Sequence, residues 1–175
     1  MHRSQRGLGL FESMMVTGIV VVLTAAALPG FRALFDRIRV TTAAADFRIA
    51  LTLTRNEAIR RRQRVDLLPV MRGDWRSGWL VVIDSNNNQV ADPGESVLHL
   101  GPSVPGAVDI NSRLTDAKSI YVAFDPSGRP RTAASAATPQ FGSVFFQSGE
   151  QRRKVVIGFL GRARICDPDR DGAAC

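Results

Sequence analysis

The sequence has few of the residues from which catalytic and metal centres are usually built. Among 175 residues there are two cysteines, two histidines and one tyrosine. His2 lies at the extreme N-terminus, which leaves His99 for a folded domain, so a Ser-His-Asp triad or a histidine-rich metal site is hard to assemble. The motifs G-x-S-x-G, H-E-x-x-H and C-x-x-C and the Walker phosphate loop are also absent. The sequence therefore argues against an enzyme, and it predicts no cofactor.

Acidic residues are also in the minority. The chain has 23 lysines and arginines against 16 aspartates and glutamates, which gives a formal net charge of +7 and an isoelectric point near 10.9. A basic protein is biased towards polyanions such as nucleic acid, anionic lipid or acidic glycans. Charge alone therefore leaves these partners open, together with a basic surface that is simply solvated.

The long apolar stretch Leu8–Leu28 is about as long as a helix that crosses a bilayer. It follows a short, positively charged segment, so one interpretation is an ordinary secretory signal that is removed near Thr24–Ala27. Glu12 argues against that interpretation, because a carboxylate in hydrocarbon costs about 2.5–3.5 kcal/mol and gives an export signal no benefit. We therefore expect Glu12 to require a partner.

The helical pattern continues beyond Pro29 to about Arg62, past the point at which an export signal would be removed. Pro29 has no amide hydrogen and is expected to kink the helix. Apolar residues recur at steps of three and four between charged ones, which predicts an amphipathic second half with one apolar face. That face is predicted to contain Phe31, Leu34, Phe35, Ile38, Thr42, Ala45, Ile49 and Leu53.

After Arg64 the pattern changes to short segments that are rich in β-branched and aromatic residues and are separated by turn clusters. This order predicts an α+β fold, in which a long N-terminal helix packs on a mostly antiparallel β-sheet domain. The predicted strands are Val65–Val70, Gly78–Asp84, Ser96–Gly101, Ser119–Asp125, Gly142–Ser148 and Lys154–Ile165.

The segment RGLGLFES resembles the prepilin leader of type IV pilins and type II secretion pseudopilins. In that family a peptidase cuts after a glycine, and the fifth residue of the new chain is a glutamate. A cut after Gly7 makes Leu8 the first residue and Glu12 the fifth, and Pro29 matches the helix-kinking proline of the family.

The resemblance implies both a division of the chain and a set of partners. The positive, N-methylated amine of Leu8 would neutralise Glu12 of a neighbouring subunit, so that assembly satisfies a buried charge. The implied location is the bacterial inner membrane, crossed once, with the C-terminal domain in the periplasm. The implied partners are other pilins or pseudopilins in a filament, prepilin peptidase and the inner membrane. The implied divisions are a leader peptide (1–7), a transmembrane and filament-core helix (8–30), its amphipathic continuation (31–64) and a periplasmic β-rich domain (65–175).

The segment Gly73–Leu98 indicates which group within this family the chain resembles. Its two tryptophans, Trp75 and Trp79, and the Asp/Asn-rich hairpin after them are similar to the tryptophan hairpin of the GspH/FimT-type pseudopilin group. Large aromatic side chains on a strand are usually anchors of the core. We expect Trp75 and Trp79 to be buried in the core or on a sheet face and not to bind a ligand.

The C-terminal segment Gly161–Arg164 matches the G-R-x-R element that is associated with DNA binding in FimT-type pilins. On one strand, two arginines spaced by two would point to the same side, the glycine would allow close backbone approach, and the basic residues at 152–154 would widen the patch. Such contacts go to the phosphates of double-stranded DNA and do not depend on base sequence. The alternative is a solvated pair of arginines balanced by the acidic tail. The DNA-binding residues predicted in this way are Arg162, Arg164, Gly161, Arg152, Arg153 and Lys154.

Two functions compete within the family. One is a minor pilin of a type IV pilus that captures DNA for uptake, and the other is the H-type minor pseudopilin at the tip of a type II secretion pseudopilus, without DNA binding. A secreted basic binding protein belongs to a different class and would follow from the secretory-signal interpretation of the N-terminal segment.

The loop after the tryptophan strand resembles a calcium-binding loop. Five of its residues fall at positions one, three, five, nine and twelve of an EF-hand-like site, but position six carries Gln89 where a glycine is needed. Plain turn chemistry uses the same residue types and is the favoured interpretation. The calcium candidates are Asp84, Asn86, Asn88, Asp92 and Glu95.

The two cysteines, Cys166 and Cys175, both lie near the C-terminus. In a periplasmic domain they are expected to form a disulfide, which would hold the tail beside the arginine element. Free thiols and a metal-binding pair are the alternatives.

Overall fold

The computed structural model describes residues 9–117, 120–172 and 175, and at 26–29 it describes the backbone alone. The predicted cleavage site, Gly7 and Leu8, therefore lies outside the described residues, as does Ser119 of a predicted strand. Within the described residues the chain forms one long helix, nine strands and a short C-terminal helix. These elements are α1 (Leu10–Arg61), β1 (Val65–Met71), β2 (Asp74–Ile83), β3 (Ser96–Leu100), β4 (Asp109–Leu114), β5 (Val122–Phe124), β6 (Pro130–Arg131), β7 (Gly142–Ser148), β8 (Gln151–Ile157), β9 (Ala163–Cys166) and α2 (Pro168–Asp171).

The first part of α1 belongs to a unit that ends at Phe35, and a second compact unit spans Asp36–Cys175. The backbone is helical throughout Leu10–Arg61, including the position of Pro29. An 18-residue window of this helix has a mean hydropathy of 2.1. By length and composition, α1 is the one helix of the described ranges that is suited to cross a membrane.

The apolar face predicted for the second half of α1 is wrong for most of its residues, although Leu53 packs against the core. Ile38 is 51% exposed and Ile49 is 59% exposed, whereas the side chain of Phe47 is fully buried. Small side chains on the buried face let the helix come close to bulky residues of the sheets. The face that is buried is therefore the one whose shape and volume fit the sheets, and it is not the face with the larger aliphatic side chains. The buried residues are Val40, Ala43, Ala44, Phe47, Ala50, Leu51, Thr54 and Ala58.

The strands form two antiparallel sheets. Sheet 1 has five strands in the order β3-β2-β1-β5-β6, and sheet 2 has four in the order β4-β7-β8-β9. The prediction of a long helix with a mostly antiparallel β-sheet domain is confirmed. The helix and the inner faces of both sheets share one hydrophobic core, in which sheet 2 contributes Val144, Phe146, Val155 and Ile157.

The two tryptophans are core residues, as predicted. Trp75 and Trp79 are each 1% exposed, and both meet the ring of Phe47 edge-on, with centroids 5.0 and 5.4 Å apart. Gly101 follows β3 and donates its N–H to the carbonyl of Trp79 at 2.7 Å; any Cβ at this position would overlap the indole of Trp79. The aromatic cluster thus joins the helix to the sheet.

The predicted strands need three corrections. The sequence pattern missed β4, because Asp109–Leu114 is polar and alternates between exposed and half-buried residues, and it missed β6, which has two residues. The predicted strand Lys154–Ile165 is wrong as a single element. It is a hairpin of β8 and β9, and the chain reverses where Gly161 adopts a φ of +82°, a conformation that favours glycine.

Candidate nucleic-acid interface

The arginine element lies at the end of the β8–β9 hairpin. The turn is closed by two backbone hydrogen bonds, from the N–H of Gly158 to the carbonyl of Arg162 at 2.9 Å and from the N–H of Gly161 to the carbonyl of Gly158 at 2.8 Å. Arg162 therefore lies in the turn, and Arg164 lies on β9 opposite Val156. Both arginines are exposed. The hairpin brings them together on the surface, although they do not share one strand as the sequence suggested.

Gly161 is buried, and the close backbone approach that it permits is to its own chain. A Cβ at this position would overlap the carbonyl oxygen of Gly128, which also accepts a hydrogen bond from Nε of Arg55 at 2.9 Å. Gly161 therefore seats the hairpin turn against Gly128 and α1. Contact between Gly161 and DNA stays a prediction.

The three cations of the predicted patch extension lie on β8, and each contacts the C-terminal tail. Arg152 pairs with both carboxylate oxygens of Asp169. Nη1 of Arg153 donates to Asp167 at 2.9 Å, and Nζ of Lys154 donates to the carbonyl of Cys175 at 2.9 Å. The sequence placed these cations on the same strand as the arginine element, but they lie on the neighbouring strand and are occupied by the tail.

The predicted disulfide between Cys166 and Cys175 is present, with their Cα atoms 5.6 Å apart. It excludes the alternatives of free thiols and a metal-binding cysteine pair in this structure. In the chain-entropy model, a bridge that closes so short a loop stabilises the fold by about 2–3 kcal/mol. It also holds the tail where Asp167 and Asp169 meet the cations of β8.

The Asp/Asn loop between β2 and β3 is closed by its own hydrogen bonds. The carboxylate of Asp84 accepts from the backbone N–H of Asn88 and Gln89, at 3.2 and 2.8 Å. The carboxylate of Asp92 accepts from the amides of Asn86 and Asn88, at 2.7 and 2.6 Å. This is the geometry of turns built by Asp and Asn side chains.

Glu95 completes that loop by accepting from the N–H of Ser85 at 2.8 Å. Among the described residues, no three His, Cys, Asp or Glu side chains come close enough to one another to hold a metal ion. Calcium binding through Asp84, Asn86, Asn88, Asp92 and Glu95 stays a prediction.

Two cations near the arginine element share an aromatic ring that the sequence interpretation did not single out. Arg113 of β4 and Lys154 of β8 both lie over the ring of Phe145, with the cations 5.6 and 5.5 Å from its centroid. A cation and the face of an aromatic ring attract each other electrostatically. The strand that carries Arg113 was not predicted, so only the register of sheet 2 could reveal that it faces the same side as Phe145.

A buried ion pair lies on the face of sheet 1 that points away from α1. Asp66 is opposite Val82 and Ala123 in the register, and its fully buried carboxylate accepts from Nε and Nη2 of Arg64 at 2.8 and 2.9 Å. Burial raises the pKa of Asp66 to about 6, against the opposing effect of Arg64. Desolvation of this carboxylate therefore outweighs the attraction of its partner.

Glu12 lies in the first turn of α1 and is exposed. Within the described ranges, no side chain is hydrogen-bonded or ion-paired to it. A glutamate in the first helical turn interacts favourably with the positive end of the helix dipole. Its predicted partner, the amine of Leu8 in another subunit, lies outside the described residues.

Comparison with known proteins shows which family the chain matches. Residues 43–161 match the model of the family described as type II transport protein GspH. The chain is also 34% identical, over 164 residues, to the pilin-like protein PilA1 of Thermus thermophilus, and the match covers 93% of this chain and 99% of PilA1.

Two crystal structures of the type IV minor pilin FimU of Pseudomonas aeruginosa PAO1 have the same fold. One superposes with a TM-score of 0.57 at 18% identity and covers 78% of this chain and 95% of FimU. The other, from a different crystal form, gives a TM-score of 0.51 at 17% identity and covers 74% and 94%.

The fold and the family are those of structural pilin subunits, which assemble with other pilins in a filament, and the apolar N-terminal helix fits a protein that crosses the inner membrane once. The long helix, the tryptophan cluster and the two antiparallel sheets thus have one common explanation. The chain belongs to the GspH family, and it is a minor pilin or pseudopilin of the type IV pilus and type II secretion class.

Proposed function

We propose that the chain is a minor pilin of a type IV pilus and that it binds DNA through Arg162 and Arg164. The observation that carries the proposal is the contrast between Arg162 and the cations of β8. Arg162 pairs with no carboxylate in the part of the chain that the structure describes, whereas Arg152 and Arg153 are both paired with the tail. Guanidinium groups on an exposed hairpin suit phosphate oxygens, so the contacts are independent of sequence and sensitive to salt.

The test is DNA affinity as a function of salt. The full-length mature protein is titrated with a fluorescent duplex, and the double variant Arg162→Ala/Arg164→Ala is compared with it. We expect the variant to bind at least 10-fold more weakly at low salt, with the slope of log K against log salt smaller by about 2, since each arginine neutralises about one phosphate. The matched control is Arg60→Ala/Arg61→Ala, which removes two arginines that contact Glu57 on α1. Undetectable binding at low salt, or equal affinities for wild type and the arginine variant, would refute the proposal.

The second candidate is a minor pseudopilin of type II secretion, which the description of the matching family favours. The two candidates predict different losses when the gene is deleted. A type IV pilus subunit is needed for piliation and DNA uptake, and a pseudopilin is needed for export of secreted enzymes. In the pseudopilin case, the arginine variant leaves export unchanged.

The N-terminal region is proposed to be processed and to guide assembly. The peptidase cuts between Gly7 and Leu8, the new amine of Leu8 is methylated, and Glu12 pairs with that amine in a neighbouring subunit. Family membership and the exposure of Glu12 support this proposal. The disulfide supports placing the C-terminal domain in the oxidising periplasm.

Glu12→Ala tests this assembly role. We expect the variant to insert in the membrane and to be cleaved normally, but to enter filaments poorly, because the amine of the neighbour loses its counter-charge. Mass spectrometry measures the mature N-terminus, and immunoblotting of sheared filaments measures incorporation. Normal incorporation of the variant, or a mature chain that begins near Leu28, contradicts the proposal.

A further inference from the structure

The outer face of sheet 2, which lies opposite the core side of the sheet, carries cations at both edges. In the strand register Arg113 is opposite Ser143, Ser143 is opposite Val156, and Val156 is opposite Arg164. Directly opposite residues of antiparallel strands project to the same side of a sheet. One row of the face therefore has an arginine on each edge strand, about 14 Å apart, with two small side chains between them.

An apolar trough continues from this row towards the end of the hairpin. It is a groove of about 500 Å³, and its lining includes Ser143, Val156, Gly158, Phe141 and Phe159. Phe141 is 48% exposed and Phe159 is 62% exposed. Two large aromatic side chains held open on one surface are typical of a binding site.

Two arginines lie beside residues of the trough. Arg162 lies beside Gly158, to which it is joined by the backbone hydrogen bond of the turn, and Arg164 lies beside Val156. Arg113 is opposite Ser143 in the register, but its guanidinium lies over the ring of Phe145, which does not line the trough. The trough thus combines an apolar and aromatic lining with two arginines, Arg162 and Arg164, in the adjoining turn and strand β9. This combination complements a flat, apolar ring that is attached to an anionic chain.

We propose that the trough binds single-stranded DNA, with unpaired bases stacked on Phe141 and Phe159 and phosphates held by Arg162 and Arg164. Aromatic side chains in a basic groove stack on bases whose faces are accessible. In a duplex those faces are covered by neighbouring base pairs, so a duplex would engage the arginines and leave the aromatic rings unused. This inference rests on the proposed DNA binding at the same hairpin, and it adds the form of DNA that the site selects.

The experiment separates contacts to bases from contacts to phosphates. The full-length mature protein, held in nanodiscs of zwitterionic lipid, is titrated with three fluorescent ligands of equal length: a single strand of mixed sequence, its duplex, and an abasic strand that keeps the phosphates and lacks the bases. Wild type is expected to bind the single strand more tightly than the abasic strand and the duplex.

The aromatic residues are tested with Phe159→Ala and Phe141→Ala. Each is expected to weaken binding of the single strand by about 5- to 100-fold, since base–aromatic stacking has that effect on affinity, and to change binding of the abasic strand by less than about 2-fold. Leu160→Ala is the matched control, because Leu160 is 49% exposed, follows Phe159 directly and does not line the trough. Phe159→Trp keeps an aromatic surface, is expected to retain binding of the single strand, and shows that loss in the alanine variant is not due to misfolding.

Three outcomes would overturn the inference. In the first, the single and abasic strands bind equally, the Phe variants have no effect, and Arg162→Ala/Arg164→Ala abolishes binding. This result supports the proposed function and shows that the trough takes no part in it. In the second, none of the three ligands binds, which refutes both the proposed function and this inference. Wild-type DNA binding by Phe159→Ala, together with failure of that variant to enter filaments, shows that the trough contacts a protein subunit.

Discussion

Two arginine–aspartate pairs in this molecule have the same chemistry and different consequences. Arg64 and Asp66 pair on the face of sheet 1 that points away from α1, where the Asp66 side chain is 0% exposed. Arg152 and Asp169 pair on the surface of sheet 2, with side chains that are 51% and 46% exposed. In the first pair, the buried carboxylate is costly to ionise, and burial raises its pKa to about 6. In the second pair, water screens the charges, so the pair contributes less than about 1 kcal/mol. The buried pair is therefore expected to make stability depend on pH, whereas the exposed pair joins Arg152 to the C-terminal tail.

The largest expected effect concerns the buried pair and pH. The pKa of Asp66 is raised from 3.8 to about 6 in the folded state, so its contribution to stability is fully present below pH 3.8 and is lost progressively as the pH rises through 6. The shift corresponds to about 3 kcal/mol between the acidic and neutral limits. We expect Asp66→Asn to remove this dependence. Urea denaturation of the wild type and the variant at pH 4, 5, 6 and 7 measures it.

Asp74→Asn is the control for that experiment. Asp74 is partly exposed, and hydrogen bonds from Arg76 lower its pKa, so its contribution is present at neutral pH and is lost only below about pH 4. The wild type and Asp74→Asn are expected to show the same change between pH 5 and pH 7. A constant difference in stability between wild type and Asp66→Asn over the whole range would show that burial does not govern the pKa of Asp66.

The smaller expected effect concerns the exposed pair and ligand access. Asp169→Asn is expected to change the free energy of unfolding by less than about 1 kcal/mol, because the pair is exposed. It releases Arg152, which lies one strand away from Arg164 and can then meet a phosphate. We expect DNA affinity at low salt to increase by several-fold and the slope of log K against log salt to become steeper by about 1. Fluorescence anisotropy measures both.

Two comparisons sharpen this prediction. Asp74→Asn removes one carboxylate that pairs with an arginine on sheet 1, so it changes the net charge equally and is expected to alter affinity much less. Reduction of the disulfide at Cys166 loosens the whole tail, so it is expected to increase affinity in the same direction while lowering stability by about 2–3 kcal/mol. An affinity of Asp169→Asn equal to that of Asp74→Asn means that Arg152 takes no part in binding.

Features that depend on nearby residues could be predicted from the sequence. The apolar run of α1, the tryptophans at 75 and 79 and five of the predicted strands are visible in local periodicity and residue type, and the structure confirms them. The buried face of α1 could not be predicted from its own periodicity, because the face centred on Phe47 and the face that contains Ile49 are both apolar. The choice between them depends on the volume of the side chains that the sheets present.

The candidate site also has features that local sequence predicts and features that depend on the tertiary structure. The sequence by itself determined that this is a pilin-like subunit with an arginine element near its C-terminus, since the resemblance to a prepilin leader, the long apolar helix and G-R-x-R are local patterns. Only the tertiary structure decided where the cations lie and which of them contact the tail. The turn at Gly161 places Arg162 and Arg164 on a different strand from the cations of β8, Arg152 and Arg153 of β8 pair with the tail, and the register of sheet 2 brings Arg113 to the same face. Pairing between strands and burial of charge depend on residues that are far apart in the chain, and local sequence does not encode them.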